Sequence, residues 1–114
     1  MKIKHYTEVK EETVTKANST KTTIRWLITE KDGAERSLTR RFEIQPGGQI
    51  GVHTHPEDHH FYVLEGHGAA INEEREIFSL KPGSVVYIPP NEPHGFLNEG
   101  ADTFVFLCII PNLK

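Results

Sequence analysis

The sequence predicts an all-β protein, a sandwich or a barrel, and three observations carry that reading. Glycine and proline punctuate the chain at short intervals, in KDG at 31–33, QPGG at 45–48, EGHG at 65–68, KPG at 81–83 and IPPNEP at 88–93. Each is a turn signal. Between them lie short runs rich in β-branched and aromatic residues, at the spacing of an all-β fold. No window sustains a helical period beyond about two turns.

The elements follow in order. The stretch 5–21 is polar, with Val9 and Val14 as its only aliphatic anchors beyond Ala17, and reads as an edge strand or an arm. Strands are expected at 22–29 (TTIRWLIT), 37–44 (SLTRRFEI), 50–55, 59–65, 68–72, 76–80, 84–88 (SVVYI) and 102–109 (DTFVFLCI). Alternate side chains of a strand face opposite sides. In 37–44, Leu38, Arg40, Phe42 and Ile44 share a face that is apolar except for Arg40. A cation in that company either meets a partner or a wet pocket, or snorkels out at an open strand end. In 102–109 both faces are apolar, which predicts a strand buried on both sides.

The chain has 114 residues, 36% hydrophobic and 25% charged, with a formal net charge of −3. That composition fits one domain spanning 1–114, with 1–21 as the arm or edge strand and 22–114 as the barrel. No basic block is present, so no nucleic-acid footprint is expected. The longest apolar run, FVFLCII at 104–110, is too short to span a bilayer. The start, MKIKHYTEVK, lacks the apolar core of a signal peptide. The single cysteine, Cys108, cannot form an intramolecular disulfide. Together these point to the cytoplasm.

Seven histidines are present, and four fall in the first eight residues of HTHPEDHHFYVLEG, 53–66. His53 and His55 are two apart, so on a strand they point the same way. Pro56-Glu57-Asp58 leaves room for a tight turn that brings His59 back toward them. His59, Phe61 and Val63 then share a face, with His60, Tyr62 and Leu64 on the other. A fourth imidazole from a distant element is His94, set between prolines and a glycine in IPPNEPHGFLN. Imidazole nitrogen suits Zn, Cu, Fe, Ni and Mn. His5 and His67 read as surface residues, and Asn98 as a structural position.

These motifs resemble the cupin superfamily. Its first motif, G-x5-H-x-H-x3-E-x6-G, matches Gly47, His53, His55, His59 and Gly66 in every spacing. Its second, G-x5-P-x-G-x2-H-x3-N, matches Gly83, Pro89, Asn91, His94 and Asn98. There are two departures: His59 stands where the family's glutamate ligand usually is, and Asn91 replaces a motif glycine. Asparagine also tolerates the left-handed backbone of a tight turn. The chain is most similar to small single-domain cupins with an HxHPxxH stretch.

The resemblance implies a double-stranded β-helix, or jelly-roll barrel, and a single divalent metal held by His53, His55, His59 and His94. Manganese is expected first, then Fe, Ni, Cu or Zn. It also implies a homodimer and a small-molecule substrate or ligand. Parity and resemblance together place Arg40, Phe42, Phe104, Phe106 and Cys108 as candidate pocket residues, with ordinary core burial as the alternative for the phenylalanines and for Cys108. The expected function is a metal-dependent, dioxygenase-like oxidoreductase acting on a small organic molecule. The alternatives are an isomerase or lyase using the metal as Lewis acid, and a non-enzymatic binding protein. No residue is assigned as a catalytic acid or base.

Overall fold

One long strand organises the molecule. The computed structural model describes residues 1–113. Its strands are β1 (Glu11–Thr13), β2 (Thr20–Ile28), β3 (Ser37–His53), β4 (His59–Glu65), β5 (Gly68–Ile71), β6 (Ile77–Leu80), β7 (Val85–Ile88), β8 (His94–Leu97) and β9 (Phe104–Pro111). All pair antiparallel. The first half of β3, residues 37–44, pairs with β2 on one side and β9 on the other. Its second half, from Gln49 to His53, pairs with β8. So β3 serves two layers: β2, β9, β4 and β7 extend one, and β8, β5 and β6 extend the other. The result is the jelly-roll barrel expected from the resemblance. Among the described residues no helix is long and apolar enough to cross a membrane.

QPGG, expected as a turn, is instead a bend inside β3. Gly47 has φ +81°, the left-handed region that favours glycine. The bend is pinned by Asn98, which is 1% exposed. Gly47 N donates to Asn98 O at 3.0 Å and Asn98 N donates to Gly48 O at 3.1 Å. The Asn98 side chain donates to Ile44 O at 2.7 Å and to Asp102 O at 2.8 Å, and its Oδ1 accepts from Gly100 N at 2.9 Å. One buried amide thus ties the strand's corner to the loop before β9, with its polar atoms satisfied.

Two further expectations need correction. No strand was expected at 94–97, because the prolines before it read as loop, yet β8 forms there and is buried over three of its four residues. Cross-strand pairing with β3 and β5 supplies what local sequence does not. And β9 is not buried on both sides throughout. Phe104, Phe106 and Cys108 on the inner face are at most 1% exposed, and Val105 opposite is 3% exposed, but Ile109 is 41% exposed. In β4 the expected alternation holds, with His59, Phe61 and Val63 inside and His60, Tyr62 and Leu64 outside.

The core is an aromatic cluster centred on Phe106. Its ring lies 5.2 Å from Phe42, 5.3 Å from Phe61, 5.0 Å from Phe96 and 5.2 Å from Phe104, centroid to centroid. Such pairs add to the burial of apolar area. The N-terminal segment packs across the open side of β3. Gly51 makes that approach feasible, since a Cβ there would sit 2.0 Å from Ala17 O.

Phe106→Ala empties the centre of this cluster and is expected to cost about 3–5 kcal/mol. Ile109→Ala, on the outer face of the same strand, is expected to cost under about 1 kcal/mol. Urea denaturation of both variants checks this, and equal losses would contradict the assignment of faces.

Candidate metal centre

The histidines gather where β3, β4 and β8 come together at one end of the barrel. His53 is the last residue of β3 and is the register partner of His94, the first residue of β8. His59 opens β4. His55 lies beyond the strand end, in the loop before β4. It therefore converges on His53 through loop geometry, not through the shared strand face the sequence suggested. Ring centroids are 4.5 Å apart for His53–His94, 5.4 Å for His53–His55, 5.0 Å for His55–His94, 4.1 Å for His55–His59 and 5.0 Å for His59–His94. Ligand nitrogens of His53, His55 and His94 lie within 4.8 Å of one another. His59 meets that trio through His55, its Nε2 in close contact with His55 Nε2.

The hydrogen bonds of three rings fix their tautomers. His53 Nδ1 lies 2.8 Å from Gly51 O, His55 Nδ1 2.9 Å from Glu57 O, and His94 Nδ1 2.8 Å from Glu92 O. A carbonyl oxygen only accepts, so each Nδ1 carries the proton and donates it. Each Nε2 is left with a lone pair in the neutral ring. In every case the carbonyl belongs to a residue two positions away, so the backbone of the ligand's own segment orients it.

His59 is oriented differently. Its Nδ1 lies 3.0 Å from Cys108 Sγ and 3.3 Å from Arg40 Nη2. If Nε2 keeps its lone pair, Nδ1–H donates to Cys108 Sγ. Arg40, which only donates, then directs its Nη2 hydrogen to the same sulfur, 2.7 Å away. Burial pushes the Cys108 thiol up to about 11, against the opposing pull of Arg40.

The electrostatics keep the donors neutral. Burial, with the Arg40 charge second, lowers His59 to about 2. Burial lowers His94 to about 4. His55 is also lowered, by burial and then by His53. A neutral imidazole is the form that binds a metal. His94 Nε2 is buried with no hydrogen-bond partner, an orphaned lone pair aimed among the other rings. Such an atom is costly unless something electrophilic meets it, and a divalent cation fits this donor set.

A cavity of about 720 Å³ reaches the histidines. Of the expected pocket residues, Arg40, Phe42 and Phe106 line it. Phe104 is fully buried in the core and its ring lies against Gly68. Cys108, also fully buried, sits behind the lining and touches Arg40 and His59. Trp26 lines the cavity and was missed. Strand parity offered the signal, since Trp26 follows Ile24 on the inward side of β2 and pairs in register with Arg40. The N-terminal residues from Glu12 to Ala17 form another wall, and no local pattern announced that.

Comparison with known proteins follows the same lines. Residues 40–110 match the Cupin_2 family, described as a cupin domain. Glucose-6-phosphate isomerase of Thermococcus gammatolerans is 40% identical over 55 residues, covering 45% of this chain and 29% of that protein. The chain therefore spans less than a third of that relative's length. Among solved structures, the polyketide cyclase RemF of Streptomyces resistomycificus superposes with a TM-score of 0.91 at 38% identity, over 97% of this chain and 79% of that one. A predicted oxalate decarboxylase of Thermotoga maritima gives a TM-score of 0.86 at 22% identity, over 98% and 100%, and shares the fold.

The neutral histidines predict a pH dependence for metal-free protein. An unfolded histidine titrates near ~6.5, whereas His94 and His59 in the fold stay neutral to about 4 and about 2. Below pH ~6.5 the unfolded chain takes up protons that the folded chain does not, so stability falls as pH falls. Each histidine contributes on the order of 1 kcal/mol per pH unit in that window. Thermal melts of chelator-treated protein at pH 7.5, 6 and 5 are expected to show a declining Tm, with a shallower decline in His94→Gln. A flat profile would rule this out.

Proposed function

Because the chain belongs to the cupin domain family, we propose that it is a metal-dependent enzyme for a small organic substrate, with His53, His55, His59 and His94 as the ligands of one divalent transition metal. The observation that carries this reading is the donor set itself: four converging imidazoles, three with Nε2 freed by a backbone carbonyl on Nδ1. A cation held there supplies Lewis-acid polarisation of a substrate oxygen. Four neutral ligands leave its charge uncompensated, which strengthens that role and disfavours a more oxidised ion. The reading is therefore an isomerase-, lyase- or cyclase-type activity. The similarity to a glucose-6-phosphate isomerase and to a polyketide cyclase, neither named as an oxidoreductase, agrees with it.

The chain's own residues divide the remaining work. The carbonyls of Gly51, Glu57 and Glu92 hold their imidazoles in one tautomer and orientation. Cys108 orients the His59 ring, with its Sγ 3.0 Å from Nδ1. Phe42, Phe61, Phe96 and Phe106 line the cavity with apolar surface that excludes water. Glu57 lines the cavity with its carboxylate 3.6 Å from His55 Nδ1, and so places a base beside the site for a substrate proton.

A dioxygenase-like oxidoreductase is the second reading. It is favoured by the open cavity beside a four-ligand set, which leaves room for both dioxygen and substrate.

Protein purified without chelator or added metal is expected to carry about one equivalent of Mn, Fe, Ni, Cu or Zn. Elemental analysis of His59→Ala and His94→Ala should find it lost, as befits removal of a ligand that costs more than the roughly 10–100-fold of an outer contact. Retention of metal in both variants would sink the four-histidine site. Screening candidate substrates in air and under nitrogen separates the chemistries: turnover indifferent to oxygen supports the Lewis-acid reading, and oxygen-dependent turnover replaces it with the second.

A further inference from the structure

Arg40 stands apart from the other arginine charges near it. Arg41, its neighbour on β3, is paired with Glu43 and Glu65 on the outer face. Arg40 faces inward, half-buried, and among the described residues no carboxylate forms an ion pair with it. Its Nη2 is spent on a sulfur. Its Nε is buried and has no hydrogen-bond partner at all. The guanidinium carbon lies 5.4 Å from the Trp26 ring and 5.0 Å from the Phe42 ring. The carboxylates that line the same cavity, Glu12 and Glu57, do not reach it.

An unneutralised, half-buried cation whose Nε is buried without a partner is costly unless an anion completes it. Guanidinium matches a carboxylate in shape and charge better than any neutral group does. The surrounding walls are apolar and aromatic, and among the described residues the other cation lining the cavity, Lys16, is exposed on the N-terminal segment. The planar guanidinium fork matches the two oxygens of a carboxylate, and the aromatic walls beside it suit the apolar body of a small organic acid.

We propose that Arg40 is the specificity-determining residue of the cavity, binding the carboxylate of a small organic acid whose apolar body rests against Trp26 and Phe42. This rests on the reading that the cavity is the substrate site, and it names the substrate class. The position of Arg40, one hydrogen bond from Cys108 and 3.3 Å from His59, puts that carboxylate's remaining atoms within reach of the histidines.

The test compares benzoate with benzamide, a neutral probe of the same shape. Both are titrated by calorimetry, with the fluorescence of Trp26, the chain's one tryptophan, as a reporter at the site. Titrations use protein as purified and protein stripped with chelator, each with its metal content measured. Benzoate is expected to bind wild type at least about tenfold tighter than benzamide in both forms. Arg40→Met is expected to abolish the preference, and Arg40→Lys, which keeps the charge and loses the planar fork, to retain part of it. Equal affinity for the two probes, no saturable binding of either, or a preference that survives Arg40→Met would overturn the assignment. Metal content reports separately on the four-histidine reading. Its failure would leave the stripped-protein titrations to decide on Arg40.

Discussion

The bend in β3 is the constraint on which the rest depends. A single strand cannot pair with β2 and β9 over one half and with β8 over the other unless it turns a corner. Gly47 supplies the backbone conformation and Asn98 holds it. Past the corner, β3 runs beside β8, so that His53 and His94 face each other although they stand 41 positions apart in the sequence. Without the corner the two layers would not close over Phe106, and the histidines would not meet.

Convergence alone does not make a ligand set. Imidazoles left to rotate would turn their lone pairs toward any donor nearby. Three of these rings are tied back to carbonyls of their own segment, so their orientation is decided locally. The fourth is tied to a sulfur on a different strand. His59 is therefore the one whose orientation depends on tertiary packing, through β9 and through Arg40. Burial then keeps all of the shifted rings unprotonated, so folding and ligand readiness arrive together.

Much of this was legible in the sequence. Strand alternation placed Phe42, Ile44, Phe61, Val63 and Phe106 inside, and the spacing of two motifs brought His53, His55, His59 and His94 into one set. What was not legible depends on long-range pairing. QPGG has the composition of a turn, and only its partners on both sides reveal a bent strand. HGFL follows three prolines, Pro89, Pro90 and Pro93, and is too short to declare itself a strand. Ile109 has the same composition as its buried neighbours, yet it is 41% exposed where Val105 on the same face is 3% exposed. The wall built from residues 12–17 exists because Gly51 lets a backbone lie against β3, and a polar stretch carries no mark of that.

That wall has an evolutionary consequence. The groups that orient the histidines lie on β3 (Gly51), on β9 (Cys108) and in the loops before β4 and β8 (Glu57 and Glu92), while much of the cavity's outer rim comes from residues 12–17, on β1 and the segment after it. Variation in the side chains of residues 12–16 would reshape the cavity's rim without touching those groups, but the backbone at Ala17 has to stay, because it packs on Gly51, whose carbonyl orients His53. Evolution can therefore edit the side chains of that rim more freely than its path along β3.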